Sequence, residues 1–213
     1  MNMDSIKFYF IKNIFDKIPN CEILNKNLPN HFWDRYNGYL HEKDKNAFYL
    51  GRYLLMKALI DLNYEPVLLK KMNFTKFGKP YFNTDLNFSI SHSGDYIGLV
   101  MHKNLKFGLD IEKIKAIPYM EYKGILNLTE KKHLNYTKKM ADFYNIWTKK
   151  EAFSKAIGMG LYISFETLNV VSNSFNYQGQ EWFFMKLNVD KAYSVHISTE
   201  KDNVPVETKE VKI

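Results

Sequence analysis

From Asp44, a good N-cap, to Leu62 the sequence reads DKNAFYLGRYLLMKALIDL, which is apolar on most sides of a helix. A helix with so little polar face belongs in the centre of a fold, so the rest of the chain has to cover it. Suitable segments flank it. Ile6, Phe8 and Phe10 alternate with Lys7 and Tyr9, the period of an opening strand. After the helix, FTKFGKPYF reads as a loop with a turn at Gly78-Lys79-Pro80, and NFSISHSGDYIGLVMH as two strands joined by a Ser-Gly-Asp turn. The expected first half is therefore a helix packed on a small antiparallel sheet.

The second half repeats that order loosely. A strand is expected at Phe107 to Ile114, helical segments from Tyr119 to Lys139, and a helix from Ala141 to Ile157. Further strands are expected near Leu168 to Val171, Trp182 to Leu187 and Tyr193 to Ser198. With 213 residues, 46% of them hydrophobic and 16% aromatic, the chain can bury a core as one large domain or two small ones. No linker rich in Gly, Pro or Ser separates the halves, so residues 1–105 and 106–213 are expected to pack closely, with any site in the cleft between them.

The single cysteine, Cys21, rules out an intramolecular disulfide, and no segment approaches the roughly 20 apolar residues that span a bilayer. Asp4, Lys7 and Lys12 interrupt the apolar start, so a cytoplasmic protein is expected. Thirty Lys and Arg against 23 Asp and Glu give a net charge of +7. That balance suits an anionic partner, whether nucleic acid, a phosphorylated cofactor or an acidic protein, and equally an ordinary lysine-rich surface.

Four stretches could carry chemistry. In FGLDIEK, strand alternation puts Gly108, Asp110 and Glu112 on one face, where two parallel carboxylates could share a divalent cation. Oxygen-only ligands favour Mg²⁺ or Mn²⁺ over zinc, although a solvated acidic face would read the same way. In WTKKEAFSKAIGMGL, Thr148, Glu151 and Lys155 fall within roughly 60° of one another on the helix. Glu151 and Lys155 also fit an ordinary i, i+4 surface pair, and Lys150, inside the apolar arc, fits a snorkelling lysine. In SISHSG, Ser91, His92 and the turn amides could hold a phosphate. Lys79 is fixed in its turn by Pro80.

Taken in order, GKP, FSISHSG, FGLDIEK and WTKKEAFSKAIGMGL resemble the motifs of the 4'-phosphopantetheinyl transferases, in particular the long, single-chain type that activates surfactin synthetase. The match runs from Phe77 to Leu161 and is looser through RYNGYLHEKDKNAFYLGRYLL. The resemblance implies an α+β fold of two similar subdomains related by pseudo-two-fold symmetry, each a small antiparallel sheet packed on helices. It implies a monomer that binds coenzyme A and moves its phosphopantetheine arm onto a serine of an acyl- or peptidyl-carrier protein of fatty acid, polyketide or nonribosomal peptide synthesis. By the same resemblance Asp110, Glu112 and Glu151 would hold Mg²⁺, Glu151 would act as general base, and Lys79, Ser91, His92 and Lys155 would contact the phosphates of coenzyme A.

The basic segment from Ile117 to Lys139, with Lys123, Lys131, Lys132, Lys138 and Lys139, would help dock the carrier, or is simply a set of solvated helices. Relatives commonly have an arginine for the 3'-phosphate where this sequence has Ala47. Lys45 and Arg52 lie roughly 140–160° from position 47 on the helix, so Arg35 and Lys43 are the expected substitutes. Two other readings fit parts of the pattern: a Mg²⁺-dependent phosphodiesterase or pyrophosphatase, and a basic nucleic-acid-binding protein.

Overall fold

The computed structural model describes residues 3–12, 18–118 and 124–213, and these form two compact units. The first comprises residues 1–104 and 205–213, the second residues 105–204. Residues 205–213, counted with the second half from sequence, cluster with the first unit.

In the first unit, strands β1 (Ile6–Lys12), β4 (Leu86–Ser93), β5 (Tyr96–Lys103) and β10 (Val206–Glu210) form a sheet in the order β10-β1-β5-β4. β1 runs antiparallel to β5 and parallel to β10. The expected central helix is α3 (Glu42–Asp61). It starts earlier than the sequence suggests: His41 is its N-cap, and Asp44 lies in the first turn, where an acidic side chain complements the helix dipole. Leu50, Leu54, Leu55, Ala58 and Leu59 are fully buried on α3, and complete burial of each leucine contributes about 1.5–3 kcal/mol.

The sheet covers one side of α3, while α1 (Glu22–Asn27), α2 (Asn30–Asn37) and a 3-10 turn at Pro66–Lys71 cover others. The stretch read as a loop around Lys79 is closed by a short hairpin of β2 (Met72–Phe74) and β3 (Pro80–Phe82).

In the second unit, β6 (Phe107–Lys113), β7 (Ser174–Tyr177), β8 (Gln180–Lys186) and β9 (Tyr193–Thr199) form an antiparallel sheet in the order β6-β9-β8-β7. The long helix α5 (Met140–Ile157) packs on β6 and β9, and α4 (Leu128–Thr137) packs on α5. Of the helical segment expected from Tyr119 to Lys139, residues 119–123 lie outside the described residues and only α4 is helical in the remainder. Each unit thus sets one long helix against a four-stranded sheet, an α+β architecture.

No strand forms at Leu168 to Val171, because side chains have taken its backbone groups. Glu130 accepts from Val170 N at 3.1 Å. Lys149 Nζ donates to the carbonyls of Val170, Val171 and Ser172 at 3.2, 3.3 and 2.9 Å. A segment whose polar groups are satisfied this way has no ladder left to offer.

Candidate active site

Gly108 sets the geometry of the acidic strand. A Cβ there would overlap Ala152 O and Ala156 N and stand 2.9 Å from the Lys155 carbonyl carbon, all backbone of α5. Only glycine allows the helix to lie directly on β6. Asp110 and Glu112 share the face of Gly108, so both carboxylates are carried against α5. Lys155 Nζ lies 2.6 Å from Asp110 Oδ1, and Trp147 Nε1 donates to Glu112 Oε1 at 3.3 Å. Glu151, one turn before Lys155, lies close enough to both strand carboxylates to feel their charge.

Burial pushes the Glu151 carboxyl up to about 7; the Lys155 ammonium opposes the rise, and the charges of Asp110 and Glu112 add to it. The folded protein therefore holds a proton that the unfolded chain has released above its ordinary pKa of 4.5. In metal-free protein this costs stability as pH rises through that interval, with the full cost present above about pH 7. Glu151→Gln removes the titration, so its stability relative to wild type should improve between about pH 5 and pH 8. Urea unfolding in a chelator checks this, and a difference independent of pH would mean that Glu151 titrates normally.

The remainder of α5 fixes this corner from behind. Thr148 is fully buried, its hydroxyl 2.7 Å from Tyr144 O and 2.7 Å from His196 Nδ1. Burial, with Lys149 and Lys186 nearby, lowers the His196 pKa to about 3, so the imidazole is neutral. With Thr148 donating to Tyr144 O, the Nδ1–H of His196 donates to Thr148. His196 stands opposite Asp110 in the β6-β9 ladder. This polar seam was not read from sequence, although His196 and Ser194 alternate with apolar Val195 and Ile197 at the strand period.

Lys150 corrects the sequence reading. It does not snorkel: both it and Glu130 are completely buried, 2.5 Å apart, and Nζ also donates to Ile125 O and Phe165 O at 2.7 Å. The Gly-Met-Gly end of the helix is likewise explained. Gly158 closes α5 in the left-handed region, with φ of 72°, and Ser154 Oγ donates to Gly160 O.

In the first unit, Ser91 and His92 are consecutive in β4, paired with Gly98 and Ile97. Their side chains therefore project to opposite faces, Ser91 buried and His92 exposed, and do not converge on one phosphate. Lys79 is half-buried beside Gly78, its amide donating to Thr75 Oγ1 at 3.2 Å, and burial lowers its ammonium pKa to about 8. Lys43 is exposed in the first turn of α3. Arg35 lies on α2, and its guanidinium stands 5.2 Å from the Phe48 ring centre. Arg52 stands over the same ring at 4.2 Å. The angle from Ala47 that set Arg52 aside is correct, but the relevant neighbour is Phe48, one turn before Arg52.

Comparison with known proteins bears on residues that include the whole acidic cluster. A model of the 4'-phosphopantetheinyl transferase superfamily matches residues 106–208, from before β6 to the middle of β10. The second unit thus resembles that superfamily along nearly all its length. It is 29% identical to the 4'-phosphopantetheinyl transferase gsp of Aneurinibacillus migulanus over 175 residues, covering 76% of this chain and 72% of that protein. It is 30% identical to the 4'-phosphopantetheinyl transferase Sfp of Bacillus subtilis over 141 residues, covering 62% and 61%. The human L-aminoadipate-semialdehyde dehydrogenase-phosphopantetheinyl transferase is 24% identical over 202 residues, covering 79% of this chain and 65% of that protein.

A divalent cation would find chemically suitable donors in Asp110, Glu112 and Glu151: three carboxylates, one of them raised by burial and by the charges of the other two. Among the described residues no three such side chains converge in ligand geometry, and Lys155 is the cation beside Asp110. No helix among the described residues is long and apolar enough to cross a membrane.

Proposed function

We propose that this protein transfers the 4'-phosphopantetheine arm of coenzyme A to a serine of an acyl- or peptidyl-carrier protein, releasing adenosine 3',5'-bisphosphate. The observation that carries this reading is the desolvated cluster of Asp110, Glu112, Glu151 and Lys155, built by the contact at Gly108 within the segment the superfamily model matches. The serine oxygen attacks the β-phosphorus of the pyrophosphate, and the bond to the bridging oxygen of the nucleotide breaks. Glu151, half-buried on α5 beside the two strand carboxylates, is the group suited to take the serine proton. Lys155 reaches the phosphates once substrate competes with Asp110 for its ammonium. Mg²⁺, or Mn²⁺ in its place, would be held by Asp110, Glu112 and Glu151 and would neutralise charge on the leaving phosphate.

The protein works in the cytoplasm as a monomer in this reading. Its net charge of +7 suits both the phosphorylated co-substrate and an acidic carrier, with α4 as part of the docking face. Intact-mass measurement of several apo-carrier proteins after incubation with the protein, coenzyme A and Mg²⁺ tests it: one added phosphopantetheine is expected. The phosphodiesterase reading draws no support from the relatives and predicts nucleotide release from coenzyme A without any carrier. The nucleic-acid reading, equally unsupported, predicts a gel shift at moderate salt. Glu151→Gln is expected to lower kcat by about a hundredfold, as loss of a general base does. Unchanged kcat with weaker coenzyme A binding would assign Glu151 to binding alone.

A further inference from the structure

A column of buried polar residues stands beside the acidic strand, on the sheet face that α5 covers. Ser194, His196 and Ser198 of β9 are 1%, 2% and 0% exposed, and in the ladder they lie opposite Glu112, Asp110 and Gly108. Apolar side chains there would be buried without losing hydrogen bonds to water, so packing alone does not account for the column. Its bonds run to α5. His196 Nδ1 lies 2.7 Å and Ser194 Oγ 3.0 Å from Thr148 Oγ1, and Ser194 Oγ donates to Asn145 Oδ1 at 3.1 Å. Lys186, next to His196 on β8, donates to the same Asn145 oxygen at 3.1 Å. These bonds are directional, whereas the apolar contacts of α5 with the sheet are not. They fix how far α5 is rotated about its axis and slid along β9. Glu151 lies one turn after Thr148, so its approach to the two strand carboxylates depends on that setting.

We propose that Thr148 and His196 are positioning residues for the acidic cluster: their hydrogen bond sets the register of α5 in which Glu151 joins Asp110 and Glu112 as donors to a divalent cation. Neither residue touches cation or substrate. The same bond fixes the imidazole. Thr148 gives its own proton to Tyr144 O, so its oxygen accepts, and His196 carries its proton on Nδ1. The inference rests on the cation site of the transferase reading and adds to it two residues behind that site.

Mn²⁺ calorimetry on the ligand-free protein, denaturant unfolding and ¹⁵N spectra of the imidazoles test it. The proteins are wild type, Thr148→Ser, His196→Asn and the double variant Thr148→Val with His196→Leu. Wild type is expected to bind Mn²⁺ and to show His196, the resonance missing from His196→Asn, protonated on Nδ1. Thr148→Ser keeps the hydroxyl and His196→Asn keeps an N–H donor in the place of Nδ1, so both should keep the affinity. The double variant removes both partners at once, which leaves neither of them buried and unpaired, and its unfolding midpoint should stay close to that of wild type. Its Mn²⁺ affinity should nonetheless fall by about ten- to a hundredfold, the usual loss when groups behind a metal site are removed. Carrier modification at saturating coenzyme A should fall with it. A double variant that folds and binds Mn²⁺ as wild type does, or a wild-type His196 protonated on Nε2, overturns the inference. If the double variant does not fold, Thr148→Val alone decides: it should weaken Mn²⁺ binding where Thr148→Ser does not, and unchanged binding overturns the inference. Wild type that binds no Mn²⁺ overturns the cation site and this inference together. Mn²⁺ binding that follows the expected pattern without any carrier modification overturns the transferase reading alone.

Discussion

Asp110→Ala is expected to lower carrier modification by about a thousandfold or more and not to recover at any Mg²⁺ concentration. Asp110 is 3% exposed, on the strand face that Gly108 brings against α5, so its carboxylate cannot be replaced by a neighbour swinging in from solvent. Its loss removes one of the three carboxylates proposed for the metal and also the partner of Lys155. The effect on folding should be much smaller, because the Lys155 side chain is 29% exposed and its charge can be hydrated. The two roles of Asp110 are separable. If it serves only to aim Lys155, then Lys155→Ala should cost as much activity, the double variant should cost no more, and Mg²⁺ affinity should be unchanged. If it holds the metal, Mg²⁺ binding should fall in Asp110→Ala and persist in Lys155→Ala. Near-normal turnover in Asp110→Ala would end the metal assignment.

The parts of this site that were legible in sequence are those fixed by local period. Alternation in β6 places Asp110 and Glu112 on one face whatever the rest of the fold does, and the 3.6-residue repeat places Glu151 near Lys155. Long-range partners leave no such mark. Val206 pairs with Ile6 across almost the whole chain, and VETKE, exposed and charged as an edge strand is, offers no apolar alternation to announce it. The α1 and α2 helices are too short to show a period and have no side-chain N-cap. Leu168 to Val171 has the composition of a strand, but Glu130 and Lys149 claim its backbone, and neither is near it in sequence. Arg52 was set aside because its angle was measured from Ala47, whereas its surroundings are made by Phe48 and by a helix that was not expected.

Lys150→Met is expected to destabilise the protein by about 3–5 kcal/mol, as breaking a fully buried ion pair does. Burial lowers the Lys150 pKa, but the ammonium is the form the site accommodates: it donates to one carboxylate and two carbonyls, which uses all three of its protons. Methionine fills nearly the same space, so the cost is electrostatic and not that of a cavity. It leaves the Glu130 carboxylate with Asn127 N and Val170 N as donors but no counter-charge, and deprives Ile125 O and Phe165 O of a donor. Glu130 also closes the capping box of α4, since Asn127 Oδ1 accepts from Glu130 N in return. A second change to leucine would therefore remove the cap as well and confound the comparison. Glutamine keeps the box and an acceptor without the charge. Lys150→Met with Glu130→Gln should thus recover more than half of the loss, while Glu130→Gln alone should leave Lys150 as the unpaired charge and cost more than the double variant. Denaturant unfolding with unchanged m-values gives all three numbers. A cost under about 1 kcal/mol for Lys150→Met would show that the hydrogen bonds of Glu130, not the ion pair, tie α4 to α5.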